Sequence, residues 1–211
     1  HPCFEAQLDP DMVVPFLRYN YVPAPHSIYR NVSKLEPGCL LQVRGSDDPR
    51  ITRYWDLNAV AHQGKAQLLQ ADDELALEQL EIVLSDAVQR RMVADVPLGA
   101  FLSGGIDSSA IVALMQAHSS RPIRTFTIGF QEKDRDESQF ARQVAQHLGT
   151  DHQTLVVEPS HAVDLLPRLP QWYDEPFADT SQIPTCFVSH LARQDVTVSL
   201  SGDGGDELLG G

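Results

Sequence analysis

Residues 102–109 read Leu-Ser-Gly-Gly-Ile-Asp-Ser-Ser and join an apolar run, 96–102, to a run of helical character, 110–118. A strand, a glycine-rich turn and a helix start present a row of free backbone N–H groups in this order. The dipole of the helix adds partial positive charge to those groups. The segment therefore predicts a phosphate-binding loop between a strand and a helix.

The residue types of this loop favour a nucleotide that carries a metal ion. Gly104 and Gly105 let the backbone approach an anion without a Cβ in the way. Ser103 and Ser108 donate further hydrogen bonds. Asp107 would repel a bare phosphate, so its presence indicates a divalent cation between the two. The predicted ligand is magnesium-bound nucleotide.

Two common phosphate loops do not fit this segment. A Walker loop ends in Gly-Lys-Ser/Thr, but the loop contains no lysine, and the chain's Gly64-Lys65 pair runs into Ala66. A dinucleotide fingerprint needs a third, spaced glycine, which is missing here. The segment resembles the SGGxDS loop of the N-type ATP pyrophosphatases, enzymes that cleave ATP between its α- and β-phosphates.

A second glycine-rich turn follows the alternating run at 196–200, which predicts a strand. Residues 201–207 read Ser-Gly-Asp-Gly-Gly-Asp-Glu, so three carboxylates (Asp203, Asp206 and Glu207) stand within five positions. Carboxylates are poor phosphate ligands but good ligands for Mg²⁺, or partners for a cationic group. A solvated acidic turn is the alternative, and the presence of the first loop disfavours it.

The two loops together resemble the synthetase domain of glutamine-hydrolysing asparagine synthetases. Further segments match that family in the expected order, and the resemblance covers nearly the whole chain: 125–130, 136–142, 147–152, 174–179 (Asp-Glu-Pro-Phe-Ala-Asp) and 183–185. Sister amidotransferases that act on other carboxylates, such as sugar acids or β-lactam precursors, would look much the same. The acceptor therefore stays open, with aspartate favoured.

The resemblance implies a ligase that uses ATP and Mg²⁺. A carboxylate is adenylated with release of pyrophosphate, and ammonia derived from glutamine then attacks the acyl-AMP. A non-catalytic nucleotide-binding paralogue is the alternative of a different class. The implied site comprises pyrophosphate ligands (Ser103, Gly104, Gly105, Asp107, Ser108), metal ligands (Asp107, Asp206) and adenosine contacts from the backbone (Leu102, Ile128, Ser201, Gly202). Asp107, Asp206 and Asp203 are the implied catalytic residues, although family members often have the longer Glu where this chain has Asp203.

The predicted domain boundaries follow the change in predicted secondary structure along the chain. Residues 1–57 are short extended runs that resemble the end of a glutaminase domain, 58–70 are a linker, and 71–211 begin the synthetase domain. From residue 71 helices alternate with strands, which predicts a parallel sheet with helices on both faces, as in adenine nucleotide α-hydrolases. Among the predicted helices, one opens at an Asp136–Gln139 capping pair, carries a stripe of Phe140, Val144 and Leu148, and stops at Gly149.

Composition excludes several other classes. The net charge of −13 argues against a nucleic-acid partner, and no run has the length of a membrane span or the form of a signal segment. Three separated cysteines fit a reducing cytoplasm. Cys3 lies behind His1-Pro2, whereas the family's glutaminase nucleophile is an N-terminal cysteine, so Cys3 is predicted to be structural. The chain is expected to be an inactive piece of a longer cytoplasmic protein, whose assembly, a homodimer among the options, stays open.

Overall fold

The computed structural model describes residues 4–45, 47–130 and 136–209. Within them the chain forms two compact units. Unit 1 holds the described residues up to Gln70 together with Pro167–Asp179, and unit 2 holds Ala71–Leu166 with the residues from Thr180 onward. Cys3 lies outside the described residues.

Unit 2 is built on a sheet of four parallel strands: β3 (Leu98–Phe101), β4 (Arg124–Phe130), β5 (Asp151–Val157) and β6 (Val198–Leu200). Their spatial order is β5-β4-β3-β6. Because the strands are parallel, their carboxyl ends lie along one edge of the sheet. Both glycine-rich loops start at that edge, after β3 and after β6.

Helices cover both faces of this sheet, as the sequence predicts. The helices of unit 2 are α3 (Asp73–Arg91), α4 (Ile106–Ala117), α5 (Ser138–Leu148), α6 (Pro159–Leu165), α8 (Gln182–Ala192) and α9 (Gly205–Leu209). One core joins α3, α4 and α5 to the sheet through buried residues such as Ala100, Val112 and Met115. The core on the other face joins α8 to the sheet through Phe126 and Leu191.

The alternation of side chains along β3 assigns the two faces. Ala100 and Leu102 are buried against α4, while Phe101 between them packs toward α8. Phe101 is paired in register with Phe126 of β4, so two aromatic rings lie on the α8 face. Residues one position apart on a strand point to opposite faces, which explains why this strand is apolar throughout.

Helix α5 ends where predicted but differs from the prediction at its start and on its buried face. Gly149 closes the helix in the left-handed conformation, with a φ of 72°. The predicted stripe is wrong at Phe140, which is 60% exposed, because the helix is rotated so that Ala141 and Ala145 face the core. The small alanines let α5 pack more closely on the core than a phenylalanine at those positions would.

The capping prediction for α5 is confirmed for the carboxylate of Asp136, but the helix starts two positions later, at Ser138. The residue before the helix is Glu137, whose side chain makes no capping hydrogen bond. Asp136 lies one position earlier, and its Oδ1 accepts hydrogen bonds from the N–H groups of Ser138 (3.1 Å) and Phe130 (3.4 Å). Asp136 therefore joins the end of β4 to the start of α5.

Unit 1 contains short elements. They are α1 (Val13–Tyr19), β1 (Cys39–Gln42), β2 (Arg50–Arg53), α2 (Leu57–Ala66) and α7 (Leu169–Trp172), with a 3-10 turn at Pro10–Met12. A further 3-10 turn, Leu166–Arg168, lies where the chain passes from unit 2 to unit 1. Strands β1 and β2 form an antiparallel pair. Most of the stretch predicted as a linker is helical in α2, because Asp56 caps it by accepting a hydrogen bond from the Ala59 N–H at 2.9 Å. No helix in the described part of the chain has the length and apolarity needed to cross a membrane.

Candidate nucleotide-binding site

The first glycine-rich loop runs from the end of β3 to the start of α4. Gly104 has a φ of +86°, a conformation that L side chains rarely adopt. A Cβ at this position would also lie 2.6 Å from the backbone nitrogen of Ala141 in α5. Only glycine satisfies both constraints, so the loop can pass between β3 and α5 as a bare backbone.

Hydrogen bonds between serines hold the loop in shape. The Ser103 N–H donates to Ser108 Oγ at 3.2 Å, and the two hydroxyl oxygens lie 2.8 Å apart. The Gly105 N–H donates to Ser103 Oγ at 3.2 Å. Ser108 is only 8% exposed. These two serines, predicted as ligand donors, are therefore first of all the internal supports of the loop.

Backbone donors at the start of α4 remain for an anion. Among the described residues, the N–H groups of Gly104, Ile106 and Asp107 have no hydrogen-bond acceptor. They lie at the N-terminus of a helix of 12 residues, whose dipole places partial positive charge there. Such a row of N–H groups is suited to a phosphate oxygen.

The second glycine-rich loop packs directly on the first. A Cβ on Gly202 would lie 2.6 Å from the backbone nitrogen of Ser108, and one on Gly205 would collide with the carboxylate of Asp107. Strands β3 and β6 are parallel neighbours, so both loops leave the same edge of the sheet. The structure thus places Asp107 beside the loop that carries Asp206.

The carboxylates of the second loop differ in their surroundings. Asp203 is exposed, and its Oδ2 accepts a hydrogen bond from the Ser201 hydroxyl at 3.0 Å. Asp206 and Glu207 are exposed in the first turn of α9. Across the described residues, no three His, Cys, Asp or Glu side chains are grouped as a metal site of protein ligands alone.

A cavity of about 360 Å³ lies beside the first loop, at the carboxyl ends of β3 and β4. Of the predicted adenosine contacts, Leu102 and Ile128 line it, whereas Ser201 and Gly202 do not. Ser103 also reaches its wall. The other lining residues are Phe101, Phe126, Thr127, Phe130, Glu137, Pro184, Thr185 and Val188.

The sequence assigns no individual ligand role to those eight residues. Six of them lie in segments that carry the family resemblance: Phe126, Thr127, Phe130, Glu137, Pro184 and Thr185. Nothing in a single sequence says which face of the sheet a later helix covers, so the wall formed by α8 could not be predicted. The signal for Phe130 and Thr127 was present, since both lie toward the carboxyl end of a strand that precedes the predicted edge.

Asp136 is hydrogen-bonded to Phe130 and precedes Glu137, two residues that line the cavity. Hydrogen bonds from Ser138 lower the pKa of Asp136 below its ordinary value of 3.8, and the N–H of Phe130 and the charge of Arg142 act in the same direction. Asp136 therefore stays ionised at neutral pH. Its neighbours Phe130 and Glu137 line the cavity, so this carboxylate stabilises the segment that forms one wall.

Comparison with known proteins assigns the family. The sequence profile of the family described as asparagine synthase matches residues 79–211, which is more than half of the chain. The chain belongs to the asparagine synthase family. Within this family it is 39% identical, over 209 residues, to a putative glutamine-hydrolysing asparagine synthetase of Mycobacterium bovis, covering 99% of this chain and 31% of that protein.

A second asparagine synthase relative gives the same picture. Asparagine synthetase [glutamine-hydrolyzing] 1 of Bacillus subtilis is 33% identical over 208 residues, covering 98% of this chain and 32% of that protein. The chain thus spans about a third of the length of these relatives. Among solved structures, NMN synthetase from Francisella tularensis aligns with a TM-score of 0.40 and 17% identity, over 62% of this chain and 54% of that chain.

Proposed function

We propose that this chain is part of an ATP-dependent amidotransferase that adenylates a carboxylate, releases pyrophosphate and then forms an amide with ammonia derived from glutamine. The observation that carries the proposal is the direct packing of the two glycine-rich loops. That packing sets free N–H groups, a carboxylate and a cavity at one edge of the sheet. A site for a nucleoside triphosphate needs these three features.

The residues at this edge fit a magnesium ion that is bound jointly with phosphates. Mg²⁺ in nucleotide sites usually takes one or two carboxylates, with phosphates and water completing its shell. Asp107, against which Gly205 packs, and the neighbouring Asp206 would supply those carboxylates. When bound there, the ion neutralises charge on the pyrophosphate that leaves.

The protein's own groups align the reaction more than they take part in it covalently. The N–H groups of Gly104, Ile106 and Asp107 bind the pyrophosphate, while the cavity beside Leu102 and Ile128 binds the adenosine. The substrate carboxylate attacks the α-phosphorus in line with the pyrophosphate held by the loop. The Ser201 hydroxyl orients Asp203, and we assign this carboxylate to the side of the site that would face the acceptor.

The domain assignment is part of the proposal. Residues 1–57 are the end of a glutaminase domain, 58–70 connect it, and 71–211 begin the synthetase domain. Aspartate is the proposed acceptor because relatives along almost the whole chain are asparagine synthetases by name. The exposed carboxylates of the second loop could bind the cationic amino group of an amino-acid acceptor as well as a metal.

The test is a product analysis of the full-length protein with Mg²⁺, ATP and either ammonium or glutamine. A panel of acceptors would include aspartate, glutamate, a sugar acid and a β-amino acid. We expect AMP, pyrophosphate and asparagine in equal amounts with aspartate alone. Formation of ADP and phosphate, or ATP turnover without any amide, would contradict the proposed reaction.

A further inference from the structure

Residues 167–179 make an excursion from one unit to the other. The chain leaves unit 2 after Leu166, packs within unit 1, and returns to unit 2 at Thr180. The whole excursion lies inside the stretch that matches the asparagine synthase family, 79–211. It contains the segment Asp-Glu-Pro-Phe-Ala-Asp at 174–179, to which the nucleotide site gives no role.

Polar contacts between described residues tie this excursion to the N-terminal part of the chain, and they include the following two. Lys34 Nζ lies 2.9 Å from Glu175 Oε2, an ionic contact rather than an aligned hydrogen bond. The Ala178 N–H donates to the carbonyl of Asn20 at 2.7 Å. The Glu175 side chain is 15% exposed, and its Oε2 is closed to solvent.

Two hydrogen bonds hold Lys34 in place independently of its contact with Glu175. Its backbone N–H donates to the carbonyl of Pro25 at 2.9 Å, and its Nζ donates to the carbonyl of Val22 at 2.6 Å. Val22 is 1% exposed and belongs to the small core of unit 1. The ammonium group is therefore preorganised, so little side-chain entropy is lost when it pairs with the carboxylate.

The carboxylate of this pair is buried, since the Glu175 side chain is 15% exposed, whereas the Lys34 side chain is 35% exposed. An exposed ion pair contributes little, whereas removal of one partner from a buried pair leaves an uncompensated charge out of water. Neither Lys34 nor Glu175 lines the nucleotide cavity. An effect of this pair on the reaction must therefore act through the position of the excursion, not through contact with ATP.

We propose that Glu175 is a positioning residue that couples glutamine hydrolysis to amide formation, because its contact with Lys34 fixes the 167–179 excursion of the synthetase part on the N-terminal segment. This inference rests on the proposed function, in which residues 1–57 end a glutaminase domain. Loss of the contact frees the excursion, so ammonia released from glutamine is wasted while ammonia added to the solution is still used.

The experiment compares Glu175→Gln, Lys34→Met and their double variant with wild type in the full-length protein. Glu36→Gln is the matched control, since it breaks an exposed pair in the same segment, Glu36 with Arg53, whose side chains are 46% and 42% exposed. Three quantities are measured: glutamine hydrolysed per amide formed, the rate with added ammonium, and amide hydrogen exchange of 167–179.

We expect Glu175→Gln to raise the glutamine hydrolysed per amide by about threefold or more, while the ammonium-dependent rate stays within about twofold of wild type. Exchange of 167–179 should rise in parallel. Lys34→Met should be worse than the double variant, because only the single variant leaves the Glu175 charge buried and unpaired. Glu36→Gln should match wild type in all three quantities.

Provided that the wild-type protein forms amide from ammonium, two results for the variant would overturn the positioning role alone. One is an unchanged glutamine-to-amide ratio in Glu175→Gln, and the other is an equal loss of the glutamine- and ammonium-dependent rates. A wild-type protein that makes no amide from ammonium would instead contradict the proposed function. The ammonium-dependent rate of the wild type therefore separates the two failures.

Discussion

Gly104 is the residue on which the phosphate loop depends most directly. Its φ of +86° and the 2.6 Å approach of a hypothetical Cβ to the Ala141 nitrogen act together. The chain offers two controls that separate these effects. Gly149 has a φ of +72° with open space around it, and Gly64 lies in α2 with open space and an ordinary φ.

We predict that Gly104→Ala destabilises the loop beyond the strain of about 1–3 kcal/mol that a non-glycine residue meets in the left-handed region. Mg-ATP affinity, measured by calorimetry on the full-length protein, should fall by more than about tenfold, which corresponds to about 1.4 kcal/mol. Gly149→Ala should lower stability without affecting ATP affinity. Gly64→Ala should be neutral or stabilising, since alanine is the better helix former. Unchanged ATP binding in Gly104→Ala would show that the nucleotide does not use this loop.

His152 reports on the packing between β4 and β5. Its Nδ1 lies 2.9 Å from Thr125 Oγ1, and Thr125 is 0% exposed. Burial lowers the pKa of His152 below its ordinary value of 6.5, and the positive charge of Arg142 lowers it further. The folded protein therefore prefers the neutral imidazole, whereas the unfolded chain is protonated near pH 6.5.

We predict that the stability of β5 is fully present above pH 6.5 and declines as the pH falls through the lowered pKa of His152, because the unfolded state binds the additional proton. Amide hydrogen exchange of β5 at several pH values measures this free energy of opening. His152→Asn should flatten the decline. His147→Asn, at an exposed position of α5, should leave it unchanged. If the free energy of opening of β5 declines as steeply with falling pH in His152→Asn as in wild type, the pH dependence belongs to another group.

At the scale of elements, the site is a contact between two strand-to-helix turns. Gly202 packs on the backbone of Ser108, whereas Gly204, two residues later, has a φ of +90° and open space. The first position tests the packing of the two turns, and the second tests only the local conformation of the acidic loop.

We predict that Gly202→Ala weakens Mg-ATP binding more than Gly204→Ala does. A Cβ at Gly202 must push the acidic loop away from the start of α4, and with it the carboxylates that would share the metal with Asp107. The measurement is the Mg²⁺ dependence of ATP affinity, which should be reduced in Gly202→Ala and near wild type in Gly204→Ala. The opposite order would mean that the loops act independently.

Elements whose limits depend on local sequence signals could be predicted from the sequence. The order of strands and helices in unit 2 follows from apolar runs and glycine-rich turns, and Gly149 ended α5 as predicted. The rotation of α5 could not be predicted, because Phe140 and Ala141 both suit a helix and only the packing of α5 on the core of unit 2 places Ala141 inside and Phe140 outside. Long-range geometry, not helix propensity, determined that face.

The same limit applies to the site. The two loops were recognisable because a few glycines and carboxylates carry their chemistry within eight residues each. The cavity wall from α8, with Pro184 and Val188, depends on the path of the chain after β5. The pairing of Lys34 with Glu175 joins residues that are far apart in sequence, so no local sequence pattern predicts it.

At the scale of the whole molecule, we propose that an acidic protein builds a site for a polyanion. A net charge of −13 gives no general attraction for ATP, so binding must come from local N–H groups, the α4 dipole and a metal held by carboxylates. Asp107 lies in the first turn of α4, beside the free N–H groups, and its carboxylate lies against Gly205 of the acidic loop. It is therefore the residue that would connect the bound metal to the phosphate site.

The most direct test is the exchange of labelled pyrophosphate into ATP by the full-length protein with Mg²⁺ and aspartate. We predict that Asp107→Asn lowers this exchange by about 100-fold or more, the loss typical of removing one electrostatic contact to a developing charge. Circular dichroism should stay unchanged, and Asp86→Asn, at an exposed position of α3, should exchange at the wild-type rate. Exchange by Asp107→Asn at the wild-type rate would contradict the account, because the metal and the pyrophosphate would then be bound elsewhere.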